Sequence, residues 1–169
     1  MAETATTEAT TDQSFDPDCP RTIPMSDPHQ GAWNALVRAH AALTGRLQEA
    51  LVEAGMPPLP WFELLAALNQ TSGGLKMSDV AEALILTPGG TTKLVDRLVK
   101  AGLVERGVCE TDRRLSYAHI TDSGTAMLEE MMPIITAELE RIWVGRLAED
   151  EAQTIARGLE RVRTSACAT

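Results

Sequence analysis

The sequence predicts a mainly α-helical fold with one small β-hairpin. Apolar residues recur at helical spacing along most of the chain, which is the pattern of amphipathic helices. The exception is the stretch 103–120, where two short apolar runs flank a polar tip, as in a β-hairpin. A chain of 169 residues is long enough for about one domain with a core of its own. The predicted order is helix, helix, helix-turn-helix, hairpin, helix, helix.

The N-terminal part is predicted to hold an acidic tail followed by two helices. Residues 1–28 carry six acidic residues against one arginine. Because they contain few hydrophobic residues, they cannot offset the entropy of ordering and are expected to be disordered. The first helix is expected over 31–54, before Gly55 and a pair of prolines that end it. A second, shorter helix is expected over 61–70.

Two further helices joined by a short turn predict a helix-turn-helix. Ser78 and Asp79 indicate the cap and the first turn of the third helix. After a three-residue turn, Thr87 followed by Pro88 is typical of a helix start. Gly102 is expected to end this fourth helix, because glycine readily adopts the left-handed conformation found there.

The hairpin and the last helices complete the predicted architecture. Residues 103–108 and 115–120 are expected to form two strands joined by a polar tip. A helix-turn-helix followed by such a hairpin is a winged helix-turn-helix. Thr121 is expected to cap a long helix that reaches Leu147, and a last helix is expected over 150–163.

The fourth helix carries the surface that is expected to contact DNA. Its predicted inner face consists of Thr91, Leu94, Val95 and Leu98. Its opposite face presents Gly89, Thr92, Lys93, Asp96 and Arg97. The N-terminal residues of such a helix enter the major groove, and glycine there allows the backbone to approach DNA closely.

The net charge of −9 argues against nucleic acid only when the chain is taken as a whole. Residues 87–117 contain six basic and four acidic residues, a net charge of +2, whereas the predicted tail carries −5. A dimer would double the positive footprint and align it along a duplex. The positive charge therefore lies where the DNA contact is predicted.

The segment from Leu59 to Gly124 resembles the core of the MarR family of bacterial transcription regulators. The resemblance depends on four motifs in the family's order, namely LVDRL at 94–98, GLVER at 102–106, Asp-x-Arg at 112–114 and Ile-Thr-x-x-Gly at 120–124. It implies a homodimeric repressor whose winged domains contact successive major grooves of a palindromic operator, about 34–36 Å apart.

The resemblance also implies roles for individual residues. Arg114 matches the wing arginine that reaches into the minor groove, and Asp112 matches the carboxylate that orients it. The expected DNA contacts are Thr87, Pro88, Gly89, Thr92, Lys93, Arg97, Asp112, Arg113 and Arg114. The Pro-Gly-Gly sequence at 88–90 stands where the family often carries Ser, Lys or Arg. Operator specificity is therefore expected to depend on the rest of the helix, the wing and DNA shape.

The family layout divides the chain into four parts, namely an acidic tail (1–28), an N-terminal dimerisation helix (29–56), a winged DNA-binding domain (57–121) and C-terminal dimerisation helices (122–165). In the family, a small lipophilic or phenolic effector binds between the dimerisation helices and the winged domain and releases the DNA. Trp33, His40 and Trp61 fall on the elements that border this pocket, so they are the candidate ligand-binding residues.

Two alternative functions are compatible with the same residues. The winged helix could be a protein-interaction module, with the acidic surface of the chain as its contact. Cys109 lies close in sequence to Arg113 and Arg114, and neighbouring cations can activate a thiol, so a redox-sensing regulator is the second alternative. No enzyme, cofactor or metal site is predicted, because no catalytic or metal-ligand motif is visible. Three distant cysteines and the lack of a long apolar stretch indicate a cytoplasmic protein.

Overall fold

The computed structural model describes residues 27–71, 74–84, 88–108 and 116–167. They form α1 (Asp27–Glu53), α2 (Leu59–Asn69), β1 (Leu75–Lys76), α3 (Met77–Ala83), α4 (Pro88–Lys100), β2 (Val104–Val108), β3 (Ser116–Ile120), α5 (Asp122–Ile142), a 3₁₀ turn (Val144–Arg146) and α6 (Glu149–Cys167). The predicted mainly helical fold with a small antiparallel β-element is confirmed. Across the described ranges, no helix is long and apolar enough to cross a membrane.

The first helix begins earlier than the sequence predicted. Its first turn contains Asp27 and Pro28, which the sequence placed in the disordered tail, so that boundary was wrong. A carboxylate in the first turn complements the helix dipole, and proline is tolerated there because its missing N–H would have no helical partner. The rest of the predicted tail, 1–26, lies outside the described residues. α1 ends at Glu53, as the prolines and glycine that follow it predicted.

The chain divides into two compact units within α1, after Arg38. The described part of the first unit, 27–38, is a run of helix on which Trp33, Leu36 and Val37 are exposed. The second unit, 39–169, contains the rest of α1 and all the other described elements.

The main core of the second unit supports α4 from one side. The predicted inner face of α4 is buried and packs against Val80 of α3 and three leucines of α2, namely Leu64, Leu65 and Leu68. Burial of a Val or Leu side chain contributes about 1.5–3 kcal/mol. The core therefore fixes which face of α4 remains exposed.

The β-element has three strands rather than the predicted two. β3 lies in the centre of an antiparallel sheet with the order β1-β3-β2. The predicted hairpin pairs Val104 with Ile120 and Val108 with Ser116. The additional strand, β1, pairs Leu75 with Ala118. A strand of two residues is too short to show the alternation of apolar and polar residues that predicts a strand. The extended conformation of β1 is instead specified by its pairing with β3.

The additional strand also changes the start of α3. The helix begins at Met77 directly after β1, and Lys76 occupies the cap position without a side-chain hydrogen bond. The prediction that Ser78 caps this helix was therefore wrong. Its hydroxyl donates instead to the Asp79 carboxylate, with 2.9 Å between Ser78 Oγ and Asp79 Oδ1.

A tight junction connects the sheet to α5. Thr121 is the predicted cap, and its hydroxyl oxygen accepts a hydrogen bond from the Gly124 N–H at 3.1 Å. The same hydroxyl donates to the Gly102 carbonyl oxygen at 2.8 Å, and the Thr121 N–H donates to the Leu103 carbonyl oxygen at 3.1 Å. Gly102 has φ +75°, the left-handed conformation predicted for it. The end of α4 and the start of α5 are thus joined through one threonine.

The last two helices differ from their predicted bounds. α5 ends at Ile142, so the prediction of a helix as far as Leu147 was wrong. A 3₁₀ turn that contains Gly145 follows, and glycine has low helix propensity. α6 begins at Glu149, and the Glu151 carboxylate accepts a hydrogen bond from the Ala148 N–H at 2.8 Å.

A second cluster joins α1 to α5. Leu51, Met131 and Ile135 are buried together there. Beside it, the Glu138 carboxylate accepts hydrogen bonds from Arg141 Nε at 3.0 Å and from Arg46 Nε of α1 at 3.2 Å. The Arg141 guanidinium, and then that of Arg46, hold the pKa of the Glu138 carboxyl below its ordinary value.

Candidate DNA interface and ligand cleft

The exposed face of α4 brings together four of the residues that were predicted to contact DNA. Gly89, Thr92, Lys93 and Arg97 are all exposed, opposite the buried face of the helix. This division follows from the helical period, because residues three and four apart share a face. No described residue forms an ion pair with either Lys93 or Arg97. The face can therefore offer two cations to a polyanion.

An ion pair neutralises Asp96, the acidic residue on the exposed face of α4. Arg106 of β2 donates to Asp96 of α4, with 2.7 Å between Arg106 Nη2 and Asp96 Oδ1. The pair is exposed, so it contributes at most about 1 kcal/mol to stability. The pair matters more for the local electrostatic potential. Without Arg106, the Asp96 carboxylate would repel phosphates that approach Lys93 and Arg97. From the sequence, Arg106 had no assigned partner within the chain.

The first turn of α4 has room for a side chain at Gly89 among the described residues. A Cβ atom built on Gly89 would meet nothing within 4 Å, so no contact inside the described chain requires glycine there. Pro88 is the first residue of α4. The lack of described neighbours at Gly89 fits the predicted close approach of the helix backbone to DNA.

The remaining predicted DNA contacts lie outside the described residues. They are Thr87, Asp112, Arg113 and Arg114. Cys109, the candidate redox-active thiol, also lies outside them. Their predicted roles therefore stay predictions, and the description of the interface is confined to α4 and the strands beside it.

A cleft of about 920 Å³ lies on the other side of α2. Its described lining residues come from α1, α2, β1 and α3 and the segments beside them, namely His40, Thr44, Leu59, Pro60, Phe62, Glu63, Ala66, Ala67, Gln70, Thr71, Leu75, Ala83 and Leu84. Clefts that bind small molecules have volumes of about 300–1,000 Å³ and mostly apolar walls with a few polar groups. This cleft has both properties.

Only one of the three predicted ligand-binding residues lines the cleft. His40 does so, from α1. Trp61 is partly buried and packs against the main core instead. Trp33 is exposed and belongs to the first unit, 27–38 in its described part. Ligand contacts by the two tryptophans stay predictions.

Sequence reasoning missed Glu63, the acidic residue of the cleft. Glu63 is exposed as a residue, but partial desolvation raises the pKa of its carboxyl, and the electrostatic effect of His40 opposes that rise. A signal was present in the sequence, because Glu63 is the only charged residue of α2, whose other ten residues are apolar or neutral. A single acid in an otherwise apolar helix next to a predicted pocket is therefore a candidate polar lining residue of that pocket.

Comparisons with known proteins agree with this arrangement. The sequence profile of the MarR family matches residues 54–115, which include α2, the helix-turn-helix and β2. The regulator MhqR of Bacillus subtilis is 28% identical over 131 residues, which cover 78% of this chain and 88% of that protein. Over this region the chain is similar to the MarR family. Three further curated relatives from B. subtilis align over only 57–64% of their own lengths.

Solved structures of the MarR family share the fold. AbsC, a MarR-family regulator from Streptomyces coelicolor, is 26% identical, with a TM-score of 0.78 and coverage of 88% of this chain and 100% of AbsC. Sco3205 from the same organism, solved in complex with DNA, has a TM-score of 0.76 at 23% identity, covering 83% and 89%. The relatives are named as transcriptional regulators and not as enzymes. These likenesses to named regulators support a DNA-binding transcriptional regulator as the class of this chain.

The junction between sheet and α5 gives a physical meaning to the last of the four MarR motifs. Within Ile-Thr-x-x-Gly, the threonine caps α5 and bonds to the end of α4. The glycine is required because a Cβ at Gly124 would overlap the Leu103 carbonyl oxygen. The motif thus specifies how the winged element is joined to the helix that follows it.

Proposed function

We propose that this regulator is a homodimeric repressor that binds a palindromic operator and is released from it by a small lipophilic or phenolic effector. The observation that carries the proposal is the exposed basic face of α4, where Lys93 and Arg97 lie beside an acid that Arg106 already neutralises. Thr87, Pro88 and the wing residues Asp112, Arg113 and Arg114 are included in the proposed contact because they match the family motifs.

The DNA-binding part is tested with a duplex that the full chain selects from a random-sequence pool. Fluorescence anisotropy gives its Kd over a series of salt concentrations. Arg97→Ala should weaken binding by about 1–3 kcal/mol if the arginine reads a base. Lys93→Ala should lower the salt slope by about one, because its ammonium would no longer neutralise a phosphate.

Arg146→Ala is the matched control, because Arg146 is an exposed arginine on the 3₁₀ turn, outside the basic face. It removes the same charge from the chain, so its effect on the Kd should stay within about twofold. Duplex binding that is absent, or that does not depend on salt, would contradict the proposal. An equal loss of affinity in Arg146→Ala and Arg97→Ala would show that total charge, not the α4 face, determines binding.

The dimeric part of the proposal is supported by α6. This helix has few contacts with the other described elements. Its apolar residues Ile155, Leu159 and Val162 share one face and are 37%, 40% and 64% exposed. A two-fold axis would pair this stripe with the same stripe of a second copy, which removes it from water without requiring a different partner.

Sedimentation equilibrium tests the dimer. Leu159→Glu places a charge within the apolar stripe, so it should shift the chain toward the monomer and weaken operator binding with it. Gln153→Glu introduces the same charge at an exposed polar position of α6 and should remain dimeric. A monomeric wild-type chain, or a Leu159→Glu variant as dimeric as the control, would contradict the homodimer.

The effector is proposed to occupy the cleft on α2. The cleft is large enough for a small aromatic molecule, and its apolar walls suit a lipophilic body. Occupancy of this cleft should lower the affinity for the operator duplex, which the anisotropy assay measures directly. An effector that binds the protein without changing the Kd for DNA would contradict this part of the proposal.

A further inference from the structure

The charge of the cleft is unusual for a site that would hold an anion. Glu63 is the acidic residue among the described lining residues, and none of them is a lysine or arginine. His40 is their other ionisable side chain. A carboxylate ligand would lose its hydration and meet a like charge without a fixed cation to compensate.

The Glu63 carboxyl also has no hydrogen-bond partner within the part of the chain that the structure describes. No described residue donates a hydrogen bond to it or forms an ion pair with it, and only the electrostatic effect of His40 acts on it. Glu63 is exposed as a residue, but partial desolvation of its carboxyl within the cleft raises the pKa of that carboxyl. An incompletely solvated acceptor gains more from a hydrogen-bond donor than a fully hydrated one does.

We infer that the cleft selects an amphipathic ligand whose head group is a hydrogen-bond donor, either cationic or uncharged, and that it rejects carboxylates and other anions. Glu63 accepts a hydrogen bond from the head group, while Leu59, Phe62 and Leu84 contact the apolar body. A charged donor gives the stronger hydrogen bond, so an ammonium binds more tightly than a hydroxyl. This inference rests on the proposed role of the cleft as the effector site.

Three probes with the same apolar body test the head group. Phenylbutylamine, phenylbutanol and phenylbutyrate differ in the group that meets Glu63, and calorimetric titration of the full chain without DNA gives their affinities. The expected order is amine, alcohol, carboxylate, with the amine at least about tenfold tighter than the carboxylate. A carboxylate that binds as tightly as the amine, or no binding by any probe up to its solubility limit, would overturn the inference.

Two variants connect the preference to this residue. Glu63→Gln keeps the shape of the side chain and removes its charge, so the ratio of amine to carboxylate affinity should fall to about one. Glu82→Gln makes the same change of charge at an exposed position of α3 that does not line the cleft, and it should keep the wild-type ratio. Equal ratios in the two variants would overturn the assignment to Glu63.

A third variant keeps the test valid if Glu63→Gln does not fold. His40→Asn removes the other ionisable lining group, so the preference for the amine should persist or increase, and its loss would contradict the inference. Because these titrations contain no DNA, they are independent of operator binding. If the chain binds the amine selectively but its Kd for the operator is the same with and without the amine, the effector role is refuted. The inferred ligand class would still hold in that case.

Discussion

Replacement of Gly124 by alanine tests the junction between the sheet and α5. A Cβ at this position would overlap the Leu103 carbonyl oxygen and lie 2.8 Å from Ile120 Cγ1. The carbonyl cannot move away freely, because it accepts the Thr121 N–H at 3.1 Å. Overpacking costs about 1–3 kcal/mol, and loss of this hydrogen bond or of the cap adds about 1 kcal/mol. We therefore expect Gly124→Ala to lower the free energy of unfolding by about 2–4 kcal/mol.

Urea denaturation followed by circular dichroism measures this loss, at one protein concentration because a dimer's stability depends on it. Gly45→Ala is the matched control, since Gly45 lies within α1 and a Cβ there would meet nothing within 4 Å. It should stabilise the chain by about 0.5–1 kcal/mol, because alanine has the higher helix propensity. If the free energy of unfolding of Gly124→Ala lies within about 0.5 kcal/mol of the wild-type value, the close packing at the junction is refuted.

Three further predictions concern packing and charge. A Cβ on Gly107 would lie 2.7 Å from His119 Nε2, so Gly107→Ala should cost about 1 kcal/mol in urea denaturation, and most of that should return when His119→Ala is added. Because the folded-state pKa of Glu138 is lowered, its contribution to stability is present above its ordinary value of 4.5 and is lost as the pH falls through the folded-state pKa; thermal unfolding of Glu138→Gln should lose this part of the acid dependence. Leu98→Ala should cost about 2–5 kcal/mol because Leu98 is fully buried, whereas Val99→Ala, at a more exposed position, should stay within about 1 kcal/mol.

The orientation of α4 could be predicted from the sequence because the helix has thirteen residues, long enough for several repeats of its period. The buried residues of α4 are apolar or threonine, and its exposed residues between Thr92 and Arg97 are polar or charged. The core and the exposed basic face follow from the same spacing. Long amphipathic elements specify their own orientation, since a rotation would expose the apolar face.

The elements that were missed depend on partners distant in sequence. β1 is extended because it pairs with β3, about forty residues later, and nothing within Leu75–Lys76 requires that conformation. Because α3 follows β1 directly, the cap predicted at Ser78 was misplaced. The pairing of Arg106 with Asp96 is a contact of the same kind, between β2 and α4. Local propensity carries no information about such contacts, however strong the motif.

The packing of α2 connects the cleft to the DNA-binding helix. Phe62 and Ala66 line the cleft and also pack against the core beneath α4, to which Leu64 and Leu68 belong. Since a close-packed core has few voids to absorb a displacement, a shift of α2 must be taken up by α4. A ligand can produce that shift only if it binds the two arrangements with different affinity. By linkage, operator DNA must then weaken the binding of the amine probe by the same factor by which the probe weakens the binding of DNA.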